Sequence, residues 1–89
     1  REGAFNALGQ GLTVYVRERN SNGELVDLMV NDSRTPGQPI TLLAARGAVR
    51  EGDNGRVVML YNGSRQERRD NDQLSVLYFD TYALDLGQL

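Results

Sequence analysis

The chain has 89 residues, ten cations against twelve anions, a net charge of −2, and neither cysteine nor histidine. The missing residue types exclude disulfides, thiolate nucleophiles, Cys/His zinc sites and histidine acid–base catalysis, and a weakly acidic chain is a poor candidate for wrapping nucleic acid. The length is that of one domain, so we expect residues 1–89 to form a single unit with one modest core.

Runs in which apolar and polar residues alternate predict the strands. Leu12, Val14 and Val16, for example, occupy alternate positions and therefore share one face of a strand. The pattern gives no amphipathic helix, so we predict an all-β fold, an antiparallel open β-jellyroll or β-sandwich of about seven or eight strands. The predicted strands include 12–18, 24–31, 40–46, 56–61, 64–68 and 74–86, after an entry segment anchored by Phe5.

Turn residues separate these runs. Asn22-Gly23 is typical of a hairpin turn, and Pro36-Gly37 lies in the clearest loop, residues 32–39. Gly47 predicts a bulge in the strand that begins at residue 40. Asn62-Gly63 is predicted to turn the chain from one strand into the next.

The last predicted strand, 74–86, is the most apolar. Its even positions are apolar except for Asp80, and Leu77 and Phe79 add apolar residues at odd positions of its first half. We therefore predict a first half buried on both faces and a second half buried on one. At roughly 3.3 Å per residue the segment would reach about 43 Å, whereas a compact chain of this size has a radius of gyration of about 12 Å. We predict a bend or bulge near Asp80–Thr81.

Several predicted strands are apolar at both odd and even positions. One face of a small antiparallel domain is usually wet, so the surplus indicates either a partner on the second face or a sheet folded like a gutter around a ligand. An ordinary two-sheet core with loop cover explains the pattern equally well. The candidate groove-lining residues, chosen from alternation, are Leu12, Val14, Val16, Val26, Leu28, Val30, Leu42, Val58, Leu60, Leu77 and Phe79.

The acidic residues offer no pair suited to catalysis. Asp80 is the one acid among apolar neighbours, and we expect it to accept backbone hydrogen bonds at the strand bend. Asp70 and Asp72 resemble part of a calcium loop, but the glycine and the distal glutamate are missing. The sequence predicts no enzymatic activity, no cofactor and no metal site.

Six segments, in this order and spacing, resemble one protein family. Their likeness to it spans essentially the whole chain. The segments are 2–5, 11–18, 22–25, 41–47, 60–67 and 79–86. Together they are similar to the periplasmic domain of the lipopolysaccharide-export permeases of the LptF/LptG (YjgP/YjgQ) family, and to the LptF branch more than to the LptG branch.

The resemblance implies a function. The chain would be a periplasmic β-jellyroll excised from a six-helix inner-membrane permease of a Gram-negative bacterium. It would receive lipopolysaccharide in an apolar groove lined by the candidates above and pass it to the jellyroll of LptC, with edge strands pairing. LptG and LptB would be the other subunits, and LptB would hydrolyse ATP, so the domain itself would catalyse nothing.

Three alternatives remain open at this point. The chain is the equivalent domain of LptG, or a purely structural adaptor with a filled core and no lipid contact, or a carbohydrate-binding jelly roll. The absence of tryptophan disfavours the last alternative. Free sheet edges also predict that the isolated fragment associates with itself.

Overall fold

The computed structural model describes residues 3–5 and 11–87, and within these ranges the chain is all β. The described ranges contain no helix long and apolar enough to cross a membrane. The anchoring predicted for Phe5 lies outside the described side chains. The strands are β1 Gly3–Phe5, β2 Leu12–Arg19, β3 Leu25–Asp32, β4 Ile40–Gly52, β5 Gly55–Arg68 and β6 Leu74–Gly87.

The six strands form one sheet in the order of the sequence, β1-β2-β3-β4-β5-β6, and each strand is antiparallel to the next. Within the described ranges β1 and β6 are the edges of this sheet. The predicted all-β, antiparallel, open fold is confirmed. The number of strands in these ranges is six, however, and not seven or eight.

The count differs mainly because β5 runs straight through Asn62-Gly63, where a turn was predicted. Asn62 has a φ of 57°, so the left-handed conformation that an Asn-Gly pair favours is used inside a strand. A Cβ on Gly63 would overlap the carbonyl oxygen of Leu43 on the neighbouring strand. Gly63 therefore permits a close approach of two backbones.

The bulge predicted at Gly47 is also absent. Gly47 pairs with Leu60, and the β4–β5 register is the same on both sides of it. A Cβ at Gly47 would lie 3.1 Å from a methyl carbon of Leu28. This glycine therefore leaves room for a core side chain.

All four ladders from β2 to β6 skip one row of residues. Pairing stops at Arg17/Asp27, Asp27/Ala45, Ala45/Asn62 and Asn62/Asp80 and resumes each time in the same register. Asp27 shares the left-handed backbone of Asn62, with a φ of 54°. We call this row, Arg17, Asp27, Ala45, Asn62 and Asp80, the pairing gap.

The phase of burial changes across the pairing gap. In β3, Leu25 is buried on one side of Asp27 and Leu28 on the other. Regular alternation would place Leu25 and Leu28 on opposite faces, yet both belong to one core. The buried hydrophobic residues are Leu12, Val14, Val16, Leu25, Leu28, Val30, Leu42, Ala44, Val58, Leu60, Leu84 and Leu86.

The two halves of β6 differ in burial, and in the opposite sense to the prediction. Leu74, Val76, Leu77 and Tyr78 are all exposed, so the first half is uncovered on both faces. In the second half Leu84 and Leu86 are buried, and Tyr82 packs against the core. We call residues 74–78 the exposed half and residues 82–86 the packed half.

Strand β6 was predicted to bend or bulge near Asp80–Thr81; the pairing is skipped at Asn62/Asp80 but shows no register shift there, so the bulge is absent and the bend stays a prediction. The β5–β6 ladder keeps one register from Arg68/Leu74 to Val57/Asp85, and its shift lies beyond that point, between Arg56 and Val57. The longest dimension of the described structure is 43 Å, so a long strand fits along it. The side chain of Asp80 is exposed and accepts no hydrogen bond from the described residues, contrary to the role expected for it.

One arginine ties the packed half of β6 to the loop between β3 and β4. Arg34 Nη1 donates a hydrogen bond of 2.8 Å to the carbonyl oxygen of Asp85. Its Nε and Nη2 donate to the two carboxylate oxygens of Asp32, each at 2.9 Å. The loop is held from the other side because Ser33 N donates to Gly11 O at 2.7 Å. The sheet therefore curls until its last strand meets the loop after its third.

Candidate functional site

The structure gathers most of the predicted groove residues into the core. Val26 is half-buried, Phe79 packs against the core, and Leu77 is exposed. Lipid contact by any of the eleven candidate groove-lining residues stays a prediction. The eight that are buried are Leu12, Val14, Val16, Leu28, Val30, Leu42, Val58 and Leu60.

This interior is filled by the protein's own side chains. Leu12, Leu42 and Leu60 are among the largest fully buried side chains. Leu28 is only 3% exposed, and its methyl groups lie over Gly47. A charged substitution such as Leu28→Glu would bury a carboxylate, so exposed positions are the better places to probe ligand contact.

A second set of apolar residues lies on the other face of the same strands. Tyr15, Met29 and Leu43 are each flanked along the chain by two buried core residues, so they point to the opposite face. Tyr15 pairs with Met29, Met29 with Leu43, Leu43 with Ser64, and Ser64 with Tyr78. Directly paired residues share a face. We call Tyr15, Met29, Leu43 and Tyr78 the outer row.

A groove of about 1090 Å³ follows the outer row across the sheet from β2 to β6. Most of its wall is apolar, and Tyr78 and Phe79 line it at the β6 end. Its polar side is the pairing gap, where Arg17 Nε donates to Asp27 Oδ2 at 2.5 Å. The groove is wide open, so an elongated apolar ligand would lie across several strands at once.

The exposed half of β6 adjoins the groove at Tyr78. This half strand lies at a free edge of the described sheet, with Leu77 57% and Tyr78 81% exposed. Apolar side chains on both faces of a free edge are the features that β-augmentation uses, since a partner strand bonds to the backbone and covers the side chains. This exposed apolar edge is better suited to pairing with an added strand than to binding a small polar substrate.

Sequence reasoning selected the interior and missed the outer row. The alternation showed only that several strands are apolar at both odd and even positions, and it did not single out Tyr15, Met29, Leu43 or Tyr78. The signal that identifies them is the register, because a single row of apolar residues at paired positions becomes visible only when the strands are aligned.

Titratable groups contribute little to this surface. The hydrogen bonds from Arg34 lower the pKa of Asp32 below 3.8, although burial of the carboxylate acts in the opposite direction. Among residues 3–5 and 11–87, no three acidic side chains are grouped so as to hold a metal ion.

The described residues form a small all-β module, an open antiparallel sheet with a free apolar edge and an apolar groove. Comparison with known proteins places it more narrowly. The model of one family, the lipopolysaccharide export system permease LptF/LptG, matches residues 1–89, and the chain belongs to this family. The match does not separate LptF from LptG.

A relative from Rickettsia prowazekii (strain Madrid E), an uncharacterized protein, is 26% identical over 85 residues. The alignment covers 96% of this chain but 24% of the relative. The chain therefore spans about a quarter of the length of the curated relative that it matches.

Proposed function

We propose that the chain is a non-enzymatic, periplasmic module of an inner-membrane lipopolysaccharide transporter. The observation that carries the proposal is the family match, which extends over every residue of the chain. In this proposal the module is that of LptF, it works beside LptG and LptB, and it passes lipopolysaccharide to the jellyroll of LptC.

The exposed half of β6 is the proposed docking edge for LptC. It supplies unpaired backbone at a sheet edge together with four exposed apolar side chains. Covering a leucine such as Leu77 contributes roughly 1.5 kcal/mol or more to a complex. The packed half of β6 is less suitable because its large side chains are already covered.

The outer groove is the proposed path for acyl chains. It is apolar, it crosses five strands, and it ends beside the docking edge. A lipid that follows it would therefore arrive where the partner strand is added. The eleven candidate groove-lining residues remain proposed lipid contacts, and Val26, Leu77 and Phe79 are the three that are not buried in the core.

Site-specific photo-crosslinking in the full-length protein, in membranes with its partner subunits, tests both parts. A crosslinker at Leu43 or Tyr78 should capture lipopolysaccharide, and one at Leu77 should capture LptC. The control position is Ala83, which is exposed on the packed half of the same strand and should give neither product. Equal yields at Leu77 and Ala83 would contradict the proposed edge.

Charged variants test the docking edge by a second route. Leu77→Lys places a charge on the exposed half, where it disfavours strand addition, and should abolish co-purification of LptC. Ala83→Lys adds the same charge to the packed half and should leave co-purification intact. Retention of LptC by Leu77→Lys would overturn the assignment of the edge.

A purely structural adaptor is the second candidate, and the filled interior favours it. In that case lipopolysaccharide would not touch this chain, and strand pairing with LptC would be its whole function. The crosslinking experiment separates the two, because an adaptor gives the LptC product at Leu77 and no lipopolysaccharide product at Leu43 or Tyr78.

A further inference from the structure

A vacant edge also occurs inside the sheet, at the end of β4. The β3–β4 ladder ends at Leu25/Gly47, whereas the β4–β5 ladder continues to Gly52/Gly55. Residues 48–52 therefore pair with β5 on one side, and among the described residues no strand pairs with them on the other. We call residues 48–52 the β4 edge.

The pairing pattern shows which backbone groups of the β4 edge point to the vacant side. Gly52 and Gly55 flank a two-residue turn and pair with each other, and such a turn is closed by a hydrogen bond between its flanking residues. Bonded and non-bonded pairs alternate along an antiparallel ladder, so Arg50 also bonds to β5. The N–H and C=O groups of Val49 and Glu51 consequently point to the vacant side. The carbonyl oxygen of Val49 accepts a weak contact of 3.4 Å from Arg50 Nη1, which an added strand would replace.

A cavity of about 640 Å³ lies along the β4 edge. Ala48, Val49 and Arg50 line it from β4, and residues 22–24 line it from the turn between β2 and β3. Because the chain turns before Leu25, the cavity occupies the place that further residues of β3 would take beside β4. Five residues of strand span roughly 17 Å, so the β4 edge accommodates a short extended segment.

Val49 indicates which side chain such a segment should carry. Val49 pairs with Val58, and Val58 pairs with Leu84, so the three residues share one face of the sheet. Val58 is 4% and Leu84 3% exposed, yet Val49 is 47% exposed. The row belongs to the core face, and its member on β4 has no paired neighbour on the vacant side among the described residues. An apolar residue opposite Val49 would extend this row of the core.

Arg50 lies on the opposite face of the strand and indicates the charge of the next position. It is exposed and forms no ion pair with any residue in the described part of the chain. Glu51 is already paired with Arg56 at 3.3 Å. An acidic residue opposite Arg50 would therefore be favoured. A second copy of the chain, paired symmetrically about the centre of the same edge, would instead place two copies of Arg50 opposite each other, which is destabilising.

We propose that the β4 edge binds an extended segment of a partner protein by β-augmentation, antiparallel to β4. The segment carries an apolar residue opposite Val49 and, next to it, an acidic residue opposite Arg50. Main-chain hydrogen bonds to Val49 and Glu51 supply affinity, and the two side chains supply specificity. The β4 edge is separate from the outer groove and from the docking edge on β6, so this inference does not depend on lipopolysaccharide transport.

The test uses the full-length protein in neutral detergent and a fluorescent peptide of sequence Thr-Val-Asp-Val-Thr, blocked at both ends, with binding measured by fluorescence anisotropy. Arg50→Glu should weaken binding about fivefold or more, because it replaces an opposite-charge pair by a like-charge pair. A peptide with lysine in place of the aspartate should restore binding to this variant. The matched control is Arg68→Glu, which makes the same change at an exposed arginine without an ion pair in the described residues and should leave the affinity unchanged.

Methylation of the peptide backbone tests the strand pairing without altering the protein. In the antiparallel arrangement the two valines lie opposite Val49 and Glu51, and their N–H groups bond to β4. Methylating both valine nitrogens should therefore abolish binding. Methylating the aspartate nitrogen, whose N–H points away from β4, should leave binding close to that of the unmodified peptide.

Three results would overturn the proposal: no binding of the unmodified peptide, an equal loss in Arg50→Glu and Arg68→Glu, or an equal effect of methylation at aspartate and at the valines. A dimer of the full-length protein that the peptide dissociates would identify a second copy as the occupant and overturn it as well. Another segment of the full-length chain in the same place would prevent peptide binding. The probe contains no lipid, so failure here leaves the crosslinks at Leu43, Leu77 and Tyr78 unaffected.

Discussion

The two halves of β6 both pair with β5 and contain similar numbers of apolar residues. The large side chains of one half nevertheless pack against the core, whereas those of the other half are exposed. Residues 74–78 include three aliphatic residues and a tyrosine, and all four are exposed. Residues 82–86 include two leucines and a tyrosine, and both leucines are buried. Hydrophobicity therefore does not decide which half is covered.

The difference comes from what lies across from each half. The packed half shares a core with residues of β2, β3 and β4, and Arg34 attaches its backbone to the β3–β4 loop. The exposed half pairs with residues 64–68 of β5, and its four apolar side chains remain exposed among the described residues. In a curled sheet, burial depends on distant elements and only indirectly on the strand itself.

The largest effect is expected at Gly63, which pairs with Phe79 between the two halves. Gly63→Ala would force a methyl group into the Leu43 carbonyl oxygen and should lower the free energy of unfolding by about 4 kcal/mol or more. Urea denaturation of the chain measures it. The control is Gly37→Ala, where φ is also positive but the space is open, with an expected loss of about 1 kcal/mol. Equal losses would show that the close approach of β4 and β5 is unimportant.

Truncating one leucine in each half of β6 tests whether the two halves differ in packing. Leu84→Ala should cost about 2–4 kcal/mol, because it leaves a cavity in the core. Leu77→Ala should change stability by less than about 0.5 kcal/mol, because Leu77 is already 57% exposed to water. The denaturation midpoints of the two variants measure these losses of stability. Similar midpoints for both variants would contradict the described packing of β6.

Removing the hydrogen bond that joins Arg34 to the packed half should lower the free energy of unfolding moderately. Arg34→Gln breaks the bond to Asp85 O and the pair with Asp32, and we expect a loss of about 1 kcal/mol at neutral pH. The pKa of Asp32 is lowered in the folded state. The contribution of this carboxylate is therefore complete above its unfolded pKa near 3.8 and is lost as the pH falls through the lower, folded value.

The difference in stability between the unaltered chain and Arg34→Gln should accordingly shrink as the solution is acidified below pH 3.8, the unfolded value for Asp32. Denaturation curves at a series of pH values measure it. A difference that stays constant through this range would mean that the Asp32 carboxylate does not contribute through Arg34.

The smallest change in the free energy of unfolding is expected for substitutions in the pairing gap. Asn62→Ala places alanine in a left-handed conformation and should cost about 0.5–1 kcal/mol. Asn62→Gly, which adopts that conformation freely, should be close to neutral. A large loss in Asn62→Gly would instead show that the asparagine side chain matters, and thermal denaturation of the two variants distinguishes these outcomes.

Local patterns were sufficient to predict the strands and much of the core. Alternation correctly placed Leu12, Val14 and Val16 on one buried face, and the positions of β2, β3 and β6 follow the predicted runs closely. Asn62-Gly63 misled the prediction because a positive φ serves a hairpin turn and an uninterrupted strand alike. The dipeptide specifies a backbone conformation without specifying its use.

The site was harder to predict because it depends on contacts between distant residues. The bond from Arg34 to Asp85 joins residues 51 positions apart, and it accompanies the packing that covers half of β6. The outer row likewise requires the alignment of Tyr15 with Met29 and Leu43. No local window of the sequence contains that information.

The pairing gap has a consequence for how the native sheet opens. The row that all four ladders from β2 to β6 skip divides these strands into two blocks, each with its own continuous set of paired residues. Amide protons in the row should exchange with solvent deuterium before those on either side of it. The two blocks should then exchange as separate cooperative units, so that transient opening of one need not unravel the other.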